Sequence, residues 1–134
     1  MNEKMDVSNN FKIKKLTNAL FIDENICFAL LFGSCVSGRF DEKSDIDIAV
    51  YFYKPPEGIE IIEFINNHSE LVQKDIDLTI LNRASPFLRH QIMLNCIRLF
   101  IKDRIIYRDF REKTITDFLI YKYISNIYIY DKEL

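Results

Sequence analysis

Leu31-Phe32-Gly33-Ser34 and, ten residues further on, Asp45-Ile46-Asp47-Ile48-Ala49-Val50 form the stretch on which the reading of this chain turns. Ile26 to Phe32 is a continuous apolar run, the pattern of a central strand covered on both faces. Gly33-Ser34 ends it in a turn, and Cys35 to Phe40 reads as a short helical turn or loop. From Asp45 to Tyr53 the residues alternate, with Ile46, Ile48, Val50 and Phe52 on one side and Asp45, Asp47, Ala49 and Tyr51 on the other. Successive side chains of a strand point to opposite faces, so Asp45 and Asp47 project side by side. Like charges held that close repel each other, and a divalent cation removes the conflict.

The pattern recurs downstream. In Asp75 to Leu81, Asp75, Asp77 and Thr79 share one face and Ile76, Leu78 and Ile80 the other. Pro55-Pro56 stops the second strand, since proline cannot donate to a ladder. Between these strands, Ile59 to Val72 reads as a helix with Ile62, Ile65 and Leu71 inward. Before the first strand, Ser8 can cap a helix carrying Ile13, Leu16 and Leu20 at helical spacing. Ser85-Pro86 starts a helix carrying Leu88, Ile92 and Cys96 inward. Ile97 to Ile101 is a short last strand, and Asp109 with Glu112 resembles a capping box for a final helix over about 109–130. The expected fold class is α/β (α+β), one mixed sheet flanked by helices.

A length of 134 residues suits one domain with a real core, here about 10–105 plus the final helix, and leaves no room for a second. No stretch reaches the length of a membrane span, and residues 1–10 lack the apolar segment of a secretory signal. Cys27, Cys35 and Cys96 are odd in number and scattered, which argues against a disulfide framework or zinc site and favours a reducing cytoplasm. The net charge of −2 comes without a basic block, so binding of long nucleic acid through phosphates is not expected.

Each element of the candidate site has a bland reading: Gly-Ser is an ordinary turn, and an Asp-x-Asp is often a solvated strand end. Their conjunction is more specific. At average residue usage, Gly-Ser-x10-Asp-x-Asp arises by chance in roughly a few chains per thousand of this length. Gly33 permits a backbone approach that a Cβ would block, and Ser34 can offer hydroxyl and amide to a phosphate. Carboxylates are hard ligands suited to Mg²⁺. If the strand at Asp75 to Leu81 lies beside that of Asp45, three carboxylates can hold two ions, an arrangement suited to phosphoryl transfer. Asp77, deeper in its strand than Asp75, is the preferred third ligand and base.

These residues resemble the nucleotidyltransferase superfamily that includes DNA polymerase β and, within it, the minimal nucleotidyltransferase (MNT) family of MntA-like antitoxins. Ser37-Gly38-Arg39, Ser44-Asp45 and Ile76-Asp77-Leu78 through Leu81-Asn82-Arg83-Ala84, with Pro86 and Leu88-Arg89, carry the resemblance further. A glycine common before the last strand of the family is Cys96 here. The resemblance implies a polymerase β-like fold that binds ATP with two Mg²⁺ ions and transfers AMP to a tyrosine of a HEPN ribonuclease toxin. It implies Asp45, Asp47 and Asp77 as catalytic and metal residues, and Gly33, Ser34, Ser44 and Arg39 as nucleotide-binding. Two other functions are compatible with it: a non-catalytic antitoxin acting by occlusion, and a small-molecule (antibiotic) nucleotidyltransferase.

His90 follows Arg83 at a spacing like that of the HEPN ribonuclease motif, but HEPN domains are all-helical, and His68 reads as a solvated helix end. Phe118 to Tyr130 places apolar side chains around much of a helix, where one stripe suffices for packing on a sheet. The surplus suits a partner surface, given the tyrosines, or a wholly buried helix.

Overall fold

A computed structural model describes residues 10–38, 41 and 43–132, with the side chains of 128–132 excepted. In chain order the elements are α1 (Phe11–Ile22), β1 (Ile26–Phe32), α2 (Ser34–Ser37), β2 (Ile46–Phe52), α3 (Ile59–Val72), β3 (Ile76–Ile80), α4 (Pro86–Leu94), β4 (Ile97–Ile101) and α5 (Arg104–Lys132). The strands form one sheet in the order β3-β2-β1-β4. β1 runs antiparallel to both β2 and β4, whereas β2 and β3 are parallel, joined by α3 as the crossover. The sheet is therefore mixed, with its continuous apolar strand inside and the alternating strands outward from it.

The alternation of β2 sorts the core into two layers. Ile46, Ile48, Val50 and Phe52 pack with Ile13, Leu16 and Leu20 of α1 and with Val72 and Phe64 of α3. On the other face, Ala49 and Tyr51 meet Phe28, Leu30, Tyr107 and Phe110, so α5 covers the face that also carries the acids. Phe28 anchors that layer, stacked on Tyr51 and edge-on to Tyr107 and Phe110. β1 is buried from Ile26 through Leu31 because helices cover both sides of it.

Several local expectations change. Ser8 lies outside the described residues, and the cap of α1 is Asn10, whose Oδ1 accepts from the amides of Lys12 and Ile13. The inward stripe of α3 is Phe64, His68 and Val72, while Ile62 and Leu71 are exposed. The helix has two apolar stripes, and the aromatic one offers more area to the core. His68 is accordingly half-buried against Phe64, with Nδ1 2.7 Å from the Phe64 carbonyl. In α4, Ile92 and Arg89 are buried and Leu88 is exposed; Cys96 falls in the turn before β4. α5 begins one and a half turns before the expected Asp109, because Asp103 Oδ1 caps the amides of Ile105 and Ile106. The Ser85 cap on α4, with Pro86 following, is as expected.

Candidate active site

Gly33 links β1 to α2 at φ +71° and ψ −141°, a conformation closed to residues with a Cβ. A Cβ built there would lie 2.1 Å from Asp47 Oδ2 and 2.9 Å from its Cγ. Glycine is thus required twice, by the backbone and by the carboxylate pressed against it. The turn also delivers the Ser34 amide to the Asp47 carboxylate. Cys35 is buried beneath, with its thiol pushed up to about 11 chiefly by that burial, so it stays a neutral packing group.

Asp47 and Asp77 are register partners on the parallel strands β2 and β3. Neighbouring strands are about 4.8 Å apart, so the two carboxyls meet on one face, Asp47 half-buried and Asp77 exposed. The Asp47 carboxyl is held above its ordinary range first by burial, then by the charge of Asp77 and a side-chain hydrogen bond with it, and further by the charge of Asp45. The carboxyl that meets Asp47 is that of Asp77; Asp75 instead uses its backbone, accepting the Ile46 amide at 2.9 Å. Asp45 stands exposed just before β2. Among the described residues no three His, Cys, Asp or Glu side chains stand at metal-ligating spacing. The site is an acid pair with a third acid at its mouth, so a cation bridging all three requires Asp45 to swing inward.

The other expected nucleotide contacts fare differently. Arg39 lies outside the described residues. Ser44 is committed to its own loop, its hydroxyl donating to Asp41 Oδ1 at 3.1 Å and accepting the Asp41 amide at 3.0 Å. A residue the sequence reading missed holds this loop: Lys74, whose ammonium reaches the carbonyls of Asp41 and Ser44. Its position after α3 carries no local signal, since it is the parallel β2–β3 pairing that sets it beside Ser44. Between the loop and the end of α3 opens a cleft of about 470 Å³ with Lys43, Asp45, Lys74 and Asp75 on its walls. Gly33, Ser34, Asp47 and Asp77 therefore converge, and Asp45 joins them to the cleft.

Away from the acids, α5 is locked to α4. Arg89 donates from Nη2 to Asp117 Oδ2 at 3.0 Å and from Nη1 to Thr114 Oγ1 at 3.5 Å, with its guanidinium over the Phe110 ring. His90 stacks on Phe118 at 3.7 Å between centroids. Beyond this point Leu119, Ile120, Tyr121, Tyr123, Ile124 and Ile127 are all exposed. No helix among the described residues is long and apolar enough to cross a membrane.

A strand–turn–strand carrying Gly-Ser and paired acids on a mixed sheet defines a nucleotidyl-transferring class of protein. The sequence profile of the polymerase beta nucleotidyltransferase family matches residues 14–105, and the chain belongs to that family. Two Methanocaldococcus jannaschii proteins, provisionally named protein adenylyltransferases, are 35% and 33% identical to it over 63 residues. Those alignments span 46% of this chain and 64% of each relative, less than two thirds of the relatives' length. Among solved structures, a toxin–antitoxin complex with AMP-PNP superposes with a TM-score of 0.75 at 25% identity, covering 97% of this chain and 100% of that one. A complex of tri-AMPylated Shewanella oneidensis HEPN toxin with MNT antitoxin gives a TM-score of 0.70 at 25% identity, with the same coverage.

Proposed function

We propose that this protein is an antitoxin nucleotidyltransferase that transfers AMP from ATP to a tyrosine hydroxyl of a HEPN-type toxin. The observation that carries the reading is the Asp47–Asp77 pair, set against a glycine that tolerates no Cβ. Folding leaves that like-charge contact unresolved, and a divalent cation resolves it. The likeness to a complex with AMP-PNP and to one with AMPylated toxin supports the nucleotide and the acceptor.

In this reading Asp45, Asp47 and Asp77 hold Mg²⁺, two ions in the full site, and the Gly33-Ser34 turn offers backbone amides to the triphosphate. Mg²⁺, when bound, offsets phosphate charge and stabilises the leaving oxygen. Asp77 accepts the proton of the attacking tyrosine hydroxyl, whose oxygen bonds to the α-phosphorus in line with the departing pyrophosphate. Most of the acceleration comes from positioning and electrostatics rather than from a covalent intermediate. Ser44 shapes the loop before Asp45, and Arg39 brings positive charge to the phosphates. Incubation with the toxin, ATP and Mg²⁺ should add AMP to the toxin by mass spectrometry. Absence of an adduct, or an undiminished one with Asp45→Asn and Asp47→Asn together, overturns the reading.

The exposed apolar run on α5 favours one second reading, an antitoxin that acts by occlusion alone. It predicts that the doubly substituted Asp45/Asp47 protein still neutralises its partner in cells. Loss of neutralisation with the complex intact rules it out.

A further inference from the structure

We propose that the outer edge of β4 is a docking site for an acidic, extended segment of a partner polypeptide, which joins the sheet as an added strand. β4 is the last strand of the sheet and, among the described residues, pairs only with β1. Among the described residues, no side chain or loop satisfies the backbone groups on its other side. Such an edge is a template for strand addition.

The surroundings specify the charge of the occupant. Between β4 and α5 runs a groove of about 420 Å³ walled by Arg98, Arg104, Arg108 and Arg111. All four are exposed, and among the described residues Arg98, Arg104 and Arg111 have no carboxylate partner. Arg108 meets only its neighbour Asp109, an exposed pair at 3.2 Å that contributes little. The guanidinium carbons of Arg98 and Arg111 each lie 5.9 Å from the centroid of Tyr107, and Arg98 also hydrogen-bonds the Tyr107 side chain, which holds both cations at the groove. In a chain of net charge −2, this concentration of arginines is local rather than a reflection of composition.

The other side of the edge offers apolar seats. A groove of about 240 Å³ lies between β4 and α1, with Ile13, Ile97 and Leu99 on its floor and Lys14, Thr17, Asn18 and Arg98 at its rim. An added strand alternates its side chains between the two grooves, so acids facing the arginines alternate with apolar residues facing α1. A second copy of this chain is disfavoured, because edge-to-edge pairing brings one arginine cluster against the other. The bulge that leaves Leu99 unpaired on β4 further guards against indiscriminate pairing. An RNA strand would use the cations but neither the backbone edge nor the apolar groove.

The test uses the full chain and a synthetic peptide of about eight residues alternating Glu and Val, with a Lys-Val peptide and a single-stranded RNA oligonucleotide as comparators. Saturable binding of the Glu-Val peptide, with slowed hydrogen exchange over 97–101, is expected, while the Lys-Val peptide stays unbound. Arg98→Glu with Arg111→Glu weakens it by at least about tenfold. Arg104→Glu alone, at a residue with no ring contact, weakens it to a lesser degree and checks that the loss is not misfolding. Absence of saturable binding, or binding without protection of β4, overturns the proposal. So does RNA binding as tight as the peptide's and lost in the same variants, which reassigns the groove to nucleic acid.

Discussion

The Asp47–Asp77 pair at the open end of the sheet and the Arg89–Asp117 pair between α4 and α5 both bring ionisable side chains together across elements. The second is an ordinary solution to a structural problem: a buried guanidinium finds a carboxylate at 3.0 Å, a threonine hydroxyl and an aromatic face. The first solves nothing within the fold. Its members repel, and burial together with the neighbouring Asp77 pushes the Asp47 carboxyl upward. Where a fold settles one charge contact and leaves another in conflict, the unsettled one is where a ligand completes the structure.

The comparison can be broken most forcefully at Asp47. Asp47→Asn should lower AMP transfer about a thousandfold, on the order of 4 kcal/mol of transition-state stabilisation, while the metal-free protein melts no lower than the wild type. A drop in both would mean that the acid pair holds the fold together. Gly33→Ala comes next. Its Cβ must displace the Asp47 carboxylate, so transfer should fall roughly a hundredfold, with a backbone cost on the order of 1–3 kcal/mol read by denaturant unfolding.

At the other pair the ranking of effects inverts. Arg89→Met should reduce the melting temperature by several degrees, because α5 loses its tie to α4, yet leave kcat little changed at temperatures where the protein is folded. The two pairs also carry opposite pH signatures. Asp47, raised in the native state, contributes stability that is present below about pH 3.8 and lost as pH rises through its native value. Asp117 is lowered, first by Arg89 and then by Lys113, so its contribution is present above about pH 3.8 and lost as pH falls through its native value. Because Asn mimics the protonated acid, both variants' melting curves should converge with the wild type at the acid end and part from it in opposite directions as pH rises, Asp47→Asn above it and Asp117→Asn below. The smallest effect on stability belongs to the far half of α5: Tyr123→Ser and Ile124→Ser should each shift it by no more than about 0.5 kcal/mol. Co-purification with the proposed HEPN-type partner then reports whether that exposed face is an interface.

Much of the site was legible because strand alternation is a strong constraint. Within β2, Ile46, Ile48, Val50 and Phe52 face one layer while Ala49 and Tyr51 face the other, as alternation required, whereas Asp45 falls just before the strand. Helix detail was less legible. Ile62 and Leu71 of α3 match helical spacing as well as Phe64, His68 and Val72 do, and only the shape of the sheet beneath chooses between them. Local chemistry permits a cap at several nearby polar residues, each worth about 1 kcal/mol, so sequence alone does not separate Asp109 from the Asp103 that caps α5. Lys74 and Ser44 exchange their roles for the same kind of reason: a contact between residues thirty positions apart leaves no trace in either neighbourhood.

By itself the sequence determined the order of strands and helices, the need for glycine after β1 and the outward face of β2 on which Asp47 stands. Those follow from periodicity and backbone sterics, which act over a few residues. Tertiary structure alone decided which carboxyl meets Asp47, because that depends on a parallel register set by the length and docking of α3. It also left Asp45 at the mouth rather than in the pair, since β2 begins one residue later and nothing draws an anion toward two others.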